Sequence, residues 1–247
     1  MAFTANGPSP NCLTATSASC APRSNAWGGT GASRFGVDPA ENLHPISSVN
    51  HNVHCGFFTG KEFGTKKFDV ITCLNAFAHN ADQLSLLKNI RDRMHEDSLL
   101  FCSASQANMI LNGEFDTIYH EHLSFYNIKS ARALCDRAGL NLIDVIKHPI
   151  HGTSYIFIIS ADVSAPSNIR NLVAMEGVAG LYNDETYKNY SRNCVSKVSN
   201  FIEKVQYWRE QGYKIIGYGA PAKGNTFLNF ARMPLDYIIE DNKLKQG

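Results

Sequence analysis

Residues 67–74, Lys67-Phe-Asp-Val-Ile-Thr-Cys-Leu74, form the apolar run that decides the fold class. The run predicts a buried strand, because short apolar runs rich in β-branched residues are typical of strands covered on both faces. Residues 82–94 follow with apolar side chains at near-helical spacing, and Ser-Leu-Leu-Phe-Cys-Ser-Ala at 98–104 is a second apolar run. Strand, helix and strand in this order predict the βαβ unit of an α/β fold with a parallel sheet.

The flanking segments extend this sheet in both directions. Upstream, Phe35-Gly-Val-Asp-Pro39 is typical of the end of a short strand. Downstream, residues 128–138 predict a helix that ends at Gly139. Residues 140–147 and 154–160 predict two strands with a short connection, and hence an antiparallel pair at one side of the sheet.

The last part of the chain predicts a second, smaller α/β unit. Residues 166–211 show a long helical pattern that ends at Gly212. A strand and a Gly-rich turn at 213–220, a helix from Asn225 and a strand at 236–240 then complete one βαβ unit. A lone unit of this kind cannot cover both faces of its strands, so we expect further chain or another surface to cover it.

Composition excludes several classes of protein. The chain has 247 residues, 44% of them hydrophobic, which is enough for one large or two small domains. A net charge of +1 gives no electrostatic reason to expect a nucleic-acid partner. No apolar run reaches the roughly 18 residues that a membrane helix needs, and the start lacks the pattern of a secretory signal. Seven cysteines without a C-x-x-C pair favour free thiols, so we expect a cytoplasmic protein without a membrane anchor.

The densest polar cluster lies in Phe115-Asp-Thr-Ile-Tyr-His-Glu-His-Leu-Ser-Phe-Tyr126. Tyr119, His120, Glu121 and His122 bring a phenol, two imidazoles and a carboxylate together, which favours acid–base catalysis. A surface turn with capping side chains is an alternative interpretation. Metal binding is disfavoured, because two histidines at i, i+2 do not match the usual i, i+4 spacing on a helix.

A second motif is Gly217-Tyr-Gly-Ala-Pro-Ala-Lys-Gly224, between a predicted strand and a predicted helix. In this context a Gly-rich turn presents backbone N–H groups to a phosphate, and Lys223 adds a positive charge. The spacing also matches G-x-G-x-x-A, with Glu240 at the end of the next strand. An NAD(P)-dependent oxidoreductase is therefore a rival interpretation.

Two further residues stand where predicted strands end. Asp38 is placed as a ribose-binding acid, although a helix N-cap ahead of Pro39 explains it equally well. His79 lies just beyond a strand end, close to Asn75, at the edge where open α/β sheets bind ligands. A structural role for His79 is the alternative.

Taken together, these segments resemble the S-adenosylmethionine-dependent C-methyltransferases that act on nucleotide-linked deoxysugars. The resemblance runs from about Gly36 to Gly247. Its motifs are Gly-Val-Asp-Pro-Ala-Glu-Asn at 36–42, Phe-Asp-Val-Ile at 68–71, Asn-Ala-Phe-Ala-His at 75–79, the segment at 115–126, His-Gly-Thr-Ser at 151–154, the turn at 217–226 and Glu-Asp-Asn-Lys-Leu-Lys-Gln-Gly at 240–247.

The resemblance implies methyl transfer to carbon 3 of a nucleotide-linked 4-keto-6-deoxysugar through an enolate, which requires a base and an oxyanion partner. It makes His122 the base, Glu121 its orienting partner and Tyr119 a donor to the enolate oxygen, with His79 lining the pocket. It implies that S-adenosylmethionine binds at Asp38 and Asn75. The residues implied for the sugar nucleotide are Gly219, Ala220, Pro221, Lys223 and Asn225.

The chain also departs from the family pattern. It has no Cys-rich zinc module, and the Gly-containing loop that holds the methionine part of the cofactor is not recognisable in residues 24–34. We therefore expect a chain truncated at both ends, with a Rossmann-like sheet whose first βα unit is incomplete. The expected division is a loose lead at 1–34, a methyltransferase-like domain at 35–165, a helical connector at 166–211 and a partial nucleotide-sugar domain at 212–247.

Whether this chain is an active enzyme stays open at this point. An active C-methyltransferase and an inactive nucleotide-sugar-binding remnant both agree with the motifs, and the oxidoreductase remains a third alternative. An incomplete sheet would leave strand edges and apolar surface uncovered, so self-association is expected.

Overall fold

A computed structural model describes residues 11–16, 33–49, 51–104, 108–149 and 153–245. The chain forms two compact units, and each is discontinuous in sequence. The first unit comprises Met1–Gln106 and Leu123–Glu176, and the second comprises Ala107–His122 and Gly177–Gly247. The grouping of residues 107–122 with the end of the chain is a feature that a linear division of the sequence does not contain.

The first unit is built on a seven-stranded sheet with the strand order β3-β2-β1-β4-β5-β7-β6. Strands β1 to β5 pair in parallel, whereas β7 runs antiparallel to both β5 and β6. This sheet confirms the predicted α/β fold and its antiparallel pair. The strands are β1 (Asn11–Thr16), β2 (Ser33–Asp38), β3 (Asn52–Cys55), β4 (Phe68–Leu74), β5 (Met94–Ala104), β6 (Asn141–His148) and β7 (Ser154–Ser160).

Strand β1 lies within residues 1–34, which were expected to be a loose lead, and it supplies a strand of the first βα unit, which was expected to be incomplete. Leu13 of β1 is the register partner of Phe35 on one side and of Ile71 on the other, so β1 lies inside the sheet. An interior strand has its backbone groups paired on both edges, which compensates for a weak sequence pattern. The remainder of the expected lead, residues 1–10 and 17–32, lies outside the described residues, as do positions 151–152 and 246–247 of the family motifs.

The helices are α1 (His44–Ser47), α2 (Gln83–Arg91), α3 (Asn108–Asn112), α4 (Ile128–Arg137), α5 (Ile169–Val178), α6 (Asp184–Glu210) and α7 (Ala222–Ala231). They include all those that were predicted, but the two short helices α1 and α3 were not predicted and α7 begins three residues before Asn225. The helical pattern at 166–211 forms α5 and α6 rather than one helix. Gly180 between them has a φ of +84°, and the side chain of Asn183 caps α6 by accepting the N–H of Glu185 at 2.9 Å.

The core of the first unit lies where β4 and β5 meet their covering helices. Phe68, Ile71 and Leu100 are completely buried on these strands, and Leu87 of α2 and Leu140 before β6 are buried with them. Burial on both sides explains why the two strands are near-continuous apolar runs in the sequence.

The second unit consists of α3, α6, α7 and a small parallel sheet of β8 (Ile216–Tyr218) and β9 (Tyr237–Ile239). Its core brings Val198 and Val205 of α6 together with Ala231 of α7 and Met233. The βαβ unit predicted after Gly212 is therefore present.

Candidate active site

The centre of the candidate site is a contact between His122 and Tyr119 in the second unit. The phenol oxygen of Tyr119 lies 3.2 Å from Nε2 of His122. The two rings are 4.3 Å apart between centroids, with 33° between their planes. A backbone hydrogen bond of 3.0 Å from the N–H of His122 to the carbonyl of Tyr119 closes the tight turn that brings them together.

The second ring nitrogen of His122 determines its tautomer. Nδ1 lies 2.8 Å from the backbone carbonyl oxygen of Thr117. A carbonyl oxygen can only accept, so Nδ1 carries a proton and donates it to this contact. In the neutral imidazole the lone pair is then on Nε2, where the hydroxyl of Tyr119 donates to it. This arrangement gives His122 a basic nitrogen that faces a hydrogen-bond donor.

Tyr119 is held in its neutral form. Burial raises the pKa of its phenol, and the nearby carboxylate of Glu121 raises that pKa further. Both effects disfavour the phenolate, so Tyr119 remains a donor across the physiological pH range. Glu121 itself lies 3.9 Å from Nε2 of the exposed His120. The negative charge of Glu121 therefore acts on Tyr119 by raising the pKa of its phenol.

The segment that carries these side chains is anchored to the helices of its own unit. The hydroxyl of Tyr190 on α6 donates to the carbonyl of Glu114 at 2.9 Å. Phe115 stacks against Phe227 of α7 with centroids 5.8 Å apart. Such contacts before the turn hold the acid–base side chains on a fixed backbone.

The Gly-rich turn after β8 is braced by the segment after β9. Gly219 has a φ of +84°, and its N–H donates to the carbonyl of Ile239 at 2.7 Å. The N–H of Ala220 donates to the carboxylate of Glu240 at 2.6 Å. Backbone N–H groups of Asn242 and Ala220 lower the pKa of Glu240. Glu240, the acid of the oxidoreductase interpretation, thus uses both of its carboxylate oxygens to brace this turn.

The side chains after the turn lie at the start of α7. Nζ of Lys223 is 3.7 Å from the carboxylate of Asp116, which belongs to the same segment as His122. Asn225 accepts a hydrogen bond of 3.2 Å from Asn229. The second unit thus contains the predicted residues Tyr119, Glu121, His122, Gly219, Ala220, Pro221, Lys223 and Asn225.

The other predicted site residues belong to the first unit, at the carboxyl ends of β2 and β4. The carboxylate of Asp38 accepts the N–H of Ala40 at 2.8 Å. The alternative that Asp38 caps a helix is wrong, because α1 begins later and has Leu43 at its N-cap. Asn75 has a φ of +55°, and its side-chain oxygen accepts from the hydroxyl of Ser103 at 3.2 Å.

His79 ends the short 3₁₀ turn Phe77–His79 that follows Asn75. The preceding carbonyl, that of Ala78, accepts the N–H of Leu123 at 2.9 Å. This bond anchors the start of the segment that returns to the sheet. Since β2 and β4 are the two neighbours of β1, Asp38, Asn75 and His79 lie around the carboxyl end of β1, where parallel sheets bind ligands.

The sequence analysis assigned no role to three residues that contact predicted side chains. Thr117 contributes through its backbone carbonyl, which no sequence pattern marks. Asp116 belongs to the polar segment, but its pairing with Lys223 depends on the fold. Ser103 stands at the end of a predicted strand, and that position was the one signal that could have identified it.

Neither metals nor membranes are indicated in the described part of the chain. Among those residues, no group of three His, Cys, Asp or Glu side chains is placed to hold a metal ion. None of the described helices is long and apolar enough to cross a membrane.

Family models match both the first and the last part of the chain. A family model described as a methyltransferase domain matches residues 24–145, and one described as a C-methyltransferase C-terminal domain matches residues 149–247. The C-methyltransferase NovU of Streptomyces niveus is 27% identical over 226 residues, which cover 86% of this chain and 54% of that protein. The chain therefore spans about half the length of this curated relative.

Solved structures with similar coordinates include two bacterial enzymes. A TehB-like S-adenosylmethionine-dependent methyltransferase from Corynebacterium glutamicum is 14% identical, with a TM-score of 0.45 over 62% of this chain and 82% of the other. An S-adenosylmethionine-dependent methyltransferase from Clostridium acetobutylicum is 11% identical, with a TM-score of 0.42 over 60% of this chain and 83% of the other.

Proposed function

Because the chain belongs to the C-methyltransferase family, we propose that it transfers a methyl group to carbon 3 of a nucleotide-linked 4-keto-6-deoxysugar. The observation that carries this proposal is the contact between Nε2 of His122 and the hydroxyl of Tyr119. Methylation at a carbon beside a ketone needs a base for the C–H proton and a donor for the developing enolate oxygen. The pair supplies both.

The spacing of the pair suits an enolisation. Standard bond lengths put the α-carbon of a ketone roughly 2.4 Å from the carbonyl oxygen. A base and a donor 3.2 Å apart can therefore address these two atoms at once. In the proposed step, Nε2 takes the proton from carbon 3, the electron pair of the C–H bond moves toward the ketone oxygen, and the Tyr119 hydroxyl turns from Nε2 to donate to that oxygen.

S-Adenosylmethionine, the cofactor of this family, supplies an electrophilic methyl group to the enolate when it is bound. The residues at the carboxyl edge of the first sheet fit such a cofactor. Asp38 offers a carboxylate for a ribose diol, and Asn75 offers a side-chain amide on the other side of β1. The loop after β1, where the methionine part would be held, lies outside the described residues.

For the sugar nucleotide, the proposed contacts are at the start of α7. Lys223 supplies a positive charge. The first N–H groups of α7 lie at the positive end of the helix dipole, where a phosphate is favoured. Gly219, Ala220, Pro221 and Asn225 shape the approach to this end. In this proposal the carboxylate of Glu240 braces the turn by accepting the N–H of Ala220, and the turn holds a sugar nucleotide rather than a nicotinamide cofactor.

Hydrogen exchange at carbon 3 tests the proposal directly, because enolisation needs only the base and the donor. We expect the wild-type protein in D2O to exchange the carbon-3 proton of a nucleotide-linked 4-keto-6-deoxysugar. His122→Asn should slow the exchange about 100- to 10,000-fold. His120→Asn is the matched control, since its side chain is 89% exposed in the same segment, and it should exchange at the wild-type rate.

Calorimetry with S-adenosylmethionine separates the enzyme from an inactive remnant. Micromolar binding together with His122-dependent exchange would support the methyltransferase. Sugar-nucleotide binding without exchange and without cofactor binding would contradict it and leave a binding protein.

A further inference from the structure

Thr117 contacts Met109 through its side chain and the His122–Tyr119 pair through its backbone carbonyl. Thr117 is only 7% exposed, and its hydroxyl donates to Sδ of Met109 at 3.2 Å. Met109 is itself buried, on α3. The carbonyl of the same residue accepts from Nδ1 of His122 at 2.8 Å and from the backbone N–H of Tyr119 at 3.1 Å. One buried residue therefore contacts both members of the pair.

We propose that Thr117 is the positioning residue that fixes the reactive tautomer of His122, with Met109 as its buried anchor. The inference rests on the proposed function, because it concerns the base of that reaction. A carbonyl oxygen has two lone pairs, and both are used here. One orients the backbone of Tyr119 and the other holds the proton on Nδ1, so Nε2 keeps its lone pair.

The anchor matters because a small displacement of the carbonyl changes both contacts together. Sulfur is a weak acceptor, so the hydroxyl contributes mainly orientation. A misplacement of about 1 Å at a site that positions reacting groups can cost about 100-fold in rate. Loss of the Nδ1 contact would let the imidazole adopt the other tautomer, in which Nε2 carries the proton and cannot act as a base.

Three substitutions isolate this role. Thr117→Val keeps the shape of the side chain and removes the hydroxyl. Thr117→Ser keeps the hydroxyl and removes a methyl group. Met109→Leu keeps a similar volume and removes the sulfur acceptor. If the two residues act as one unit, Thr117→Val and Met109→Leu should have similar effects that do not add in the double variant.

The tautomer can be observed without any turnover. Long-range ¹H–¹⁵N correlation spectra of histidine-labelled protein, with the His122 signals assigned from His122→Asn, should show the proton on Nδ1 in the wild type and in Thr117→Ser. In Thr117→Val and Met109→Leu we expect the other tautomer to grow several-fold. Carbon-3 exchange should fall about tenfold with the sugar KM nearly unchanged, and the acid limb of its pH profile should move.

Two results would overturn the proposal. One is a wild-type spectrum with the proton on Nε2. The other is a folded Thr117→Val or Met109→Leu protein whose spectrum and pH profile equal those of the wild type. If no protein exchanges the carbon-3 proton but the spectra change as expected, the positioning role stands and the proposed function fails.

Discussion

Asn75 combines a backbone and a side-chain feature that substitutions can separate. Its φ of +55° lies in the left-handed region, which asparagine tolerates better than alanine and glycine adopts without strain. We expect Asn75→Ala to lower the free energy of unfolding by about 1 kcal/mol. Asn75→Gly should lower this free energy less than Asn75→Ala, because both lose the hydrogen bond from Ser103 but glycine avoids the backbone strain, and it should weaken S-adenosylmethionine binding because the side-chain amide is lost.

Urea unfolding and calorimetry on both Asn75 variants make this comparison. If Asn75→Gly binds the cofactor as tightly as the wild type, the amide does not contact it.

Lys223 and Asp116 should have opposite effects on the binding of a nucleoside diphosphate. Their charged groups are 3.7 Å apart and both are partly exposed, so Asp116 competes with any phosphate for the ammonium group. We expect Lys223→Gln to weaken binding of a nucleoside diphosphate about tenfold. Asp116→Asn should strengthen it a few-fold, because the competing carboxylate is removed. Titration calorimetry at low and high salt measures both, and wild-type affinity in Lys223→Gln would count against a phosphate at α7.

The cluster of polar groups is visible in the sequence, whereas the hydrogen bonds within it are not. The concentration of polar groups around His122 and Tyr119 predicted acid–base work from composition alone. The roles of the two ring nitrogens depend on a backbone carbonyl, and backbone atoms are the same at every position of a sequence. Glu121 is predicted to orient His122, and its carboxylate also lies 3.9 Å from Nε2 of His120. Neighbours in sequence on a tight turn can point in different directions, and only the turn geometry decides among them.

Among the elements, α5 is tied to the sheet by a buried carboxylate. Glu176 is 4% exposed and accepts from the N–H of Ile128, the first residue of α4, at 2.8 Å. It also accepts from the hydroxyl of Tyr155 on β7 at 3.1 Å. Glu176→Gln replaces an oxygen by a donor group that faces another donor, so we expect the free energy of unfolding to fall by about 1–3 kcal/mol. Glu203→Gln, on an exposed position of α6, is the control for urea unfolding and should change little.

The alkaline stability of the first unit should depend on Tyr126. Burial raises the pKa of its phenol to about 12. The buried cysteines Cys102 and Cys135 also raise this pKa, and the hydrogen bond from Ser124 lowers it. An unfolded tyrosine has a pKa near 10. The folded value is higher, so this contribution to stability is complete below about pH 10 and is lost as the pH rises toward about 12.

Tyr126→Phe removes the pH dependence that this phenol gives to stability. Between pH 9.5 and 11.5 we expect the free energy of unfolding to fall by roughly 2 kcal/mol more in the wild type than in the variant. Urea unfolding across this range measures the difference, and Tyr237→Phe, at an exposed position, is the control. Parallel curves for wild type and Tyr126→Phe would refute the assignment.

The elements that were predicted from sequence carry their own signals, and those that were missed depend on neighbours. Strand β4 is a continuous apolar run, and α4 has both a capping box at Asn127 and a stop at Gly139. Strand β1, Asn-Cys-Leu-Thr-Ala-Thr, has no apolar run longer than two residues and becomes a strand because β2 and β4 pair with both of its edges. Edge strand β3 has only four residues, too few for a periodic pattern.

At the scale of the whole molecule, the two units differ in how well their sheets are covered. Parallel strands are normally buried on both faces, and a two-stranded sheet alone is marginal in water. In the first unit, β4 and β5 meet this rule. In the second unit, Ile216 of β8 is 53% exposed, and Ile238 and Ile239 of β9 are 52% and 51% exposed. Because successive residues of a strand point to opposite faces, both faces of this sheet carry exposed apolar side chains.

We expect the protein to associate through the exposed surface of β8 and β9. Exposed apolar strands with open edges are recognised sites of aggregation. We expect light scattering of the wild type to rise with concentration and Ile238→Lys to reduce that rise several-fold, since a charge on the sheet opposes its burial. Val178→Lys is the matched control, because Val178 is 92% exposed on α5, outside the sheet. An equal reduction by both variants would mean that net charge, and not the sheet, controls the association.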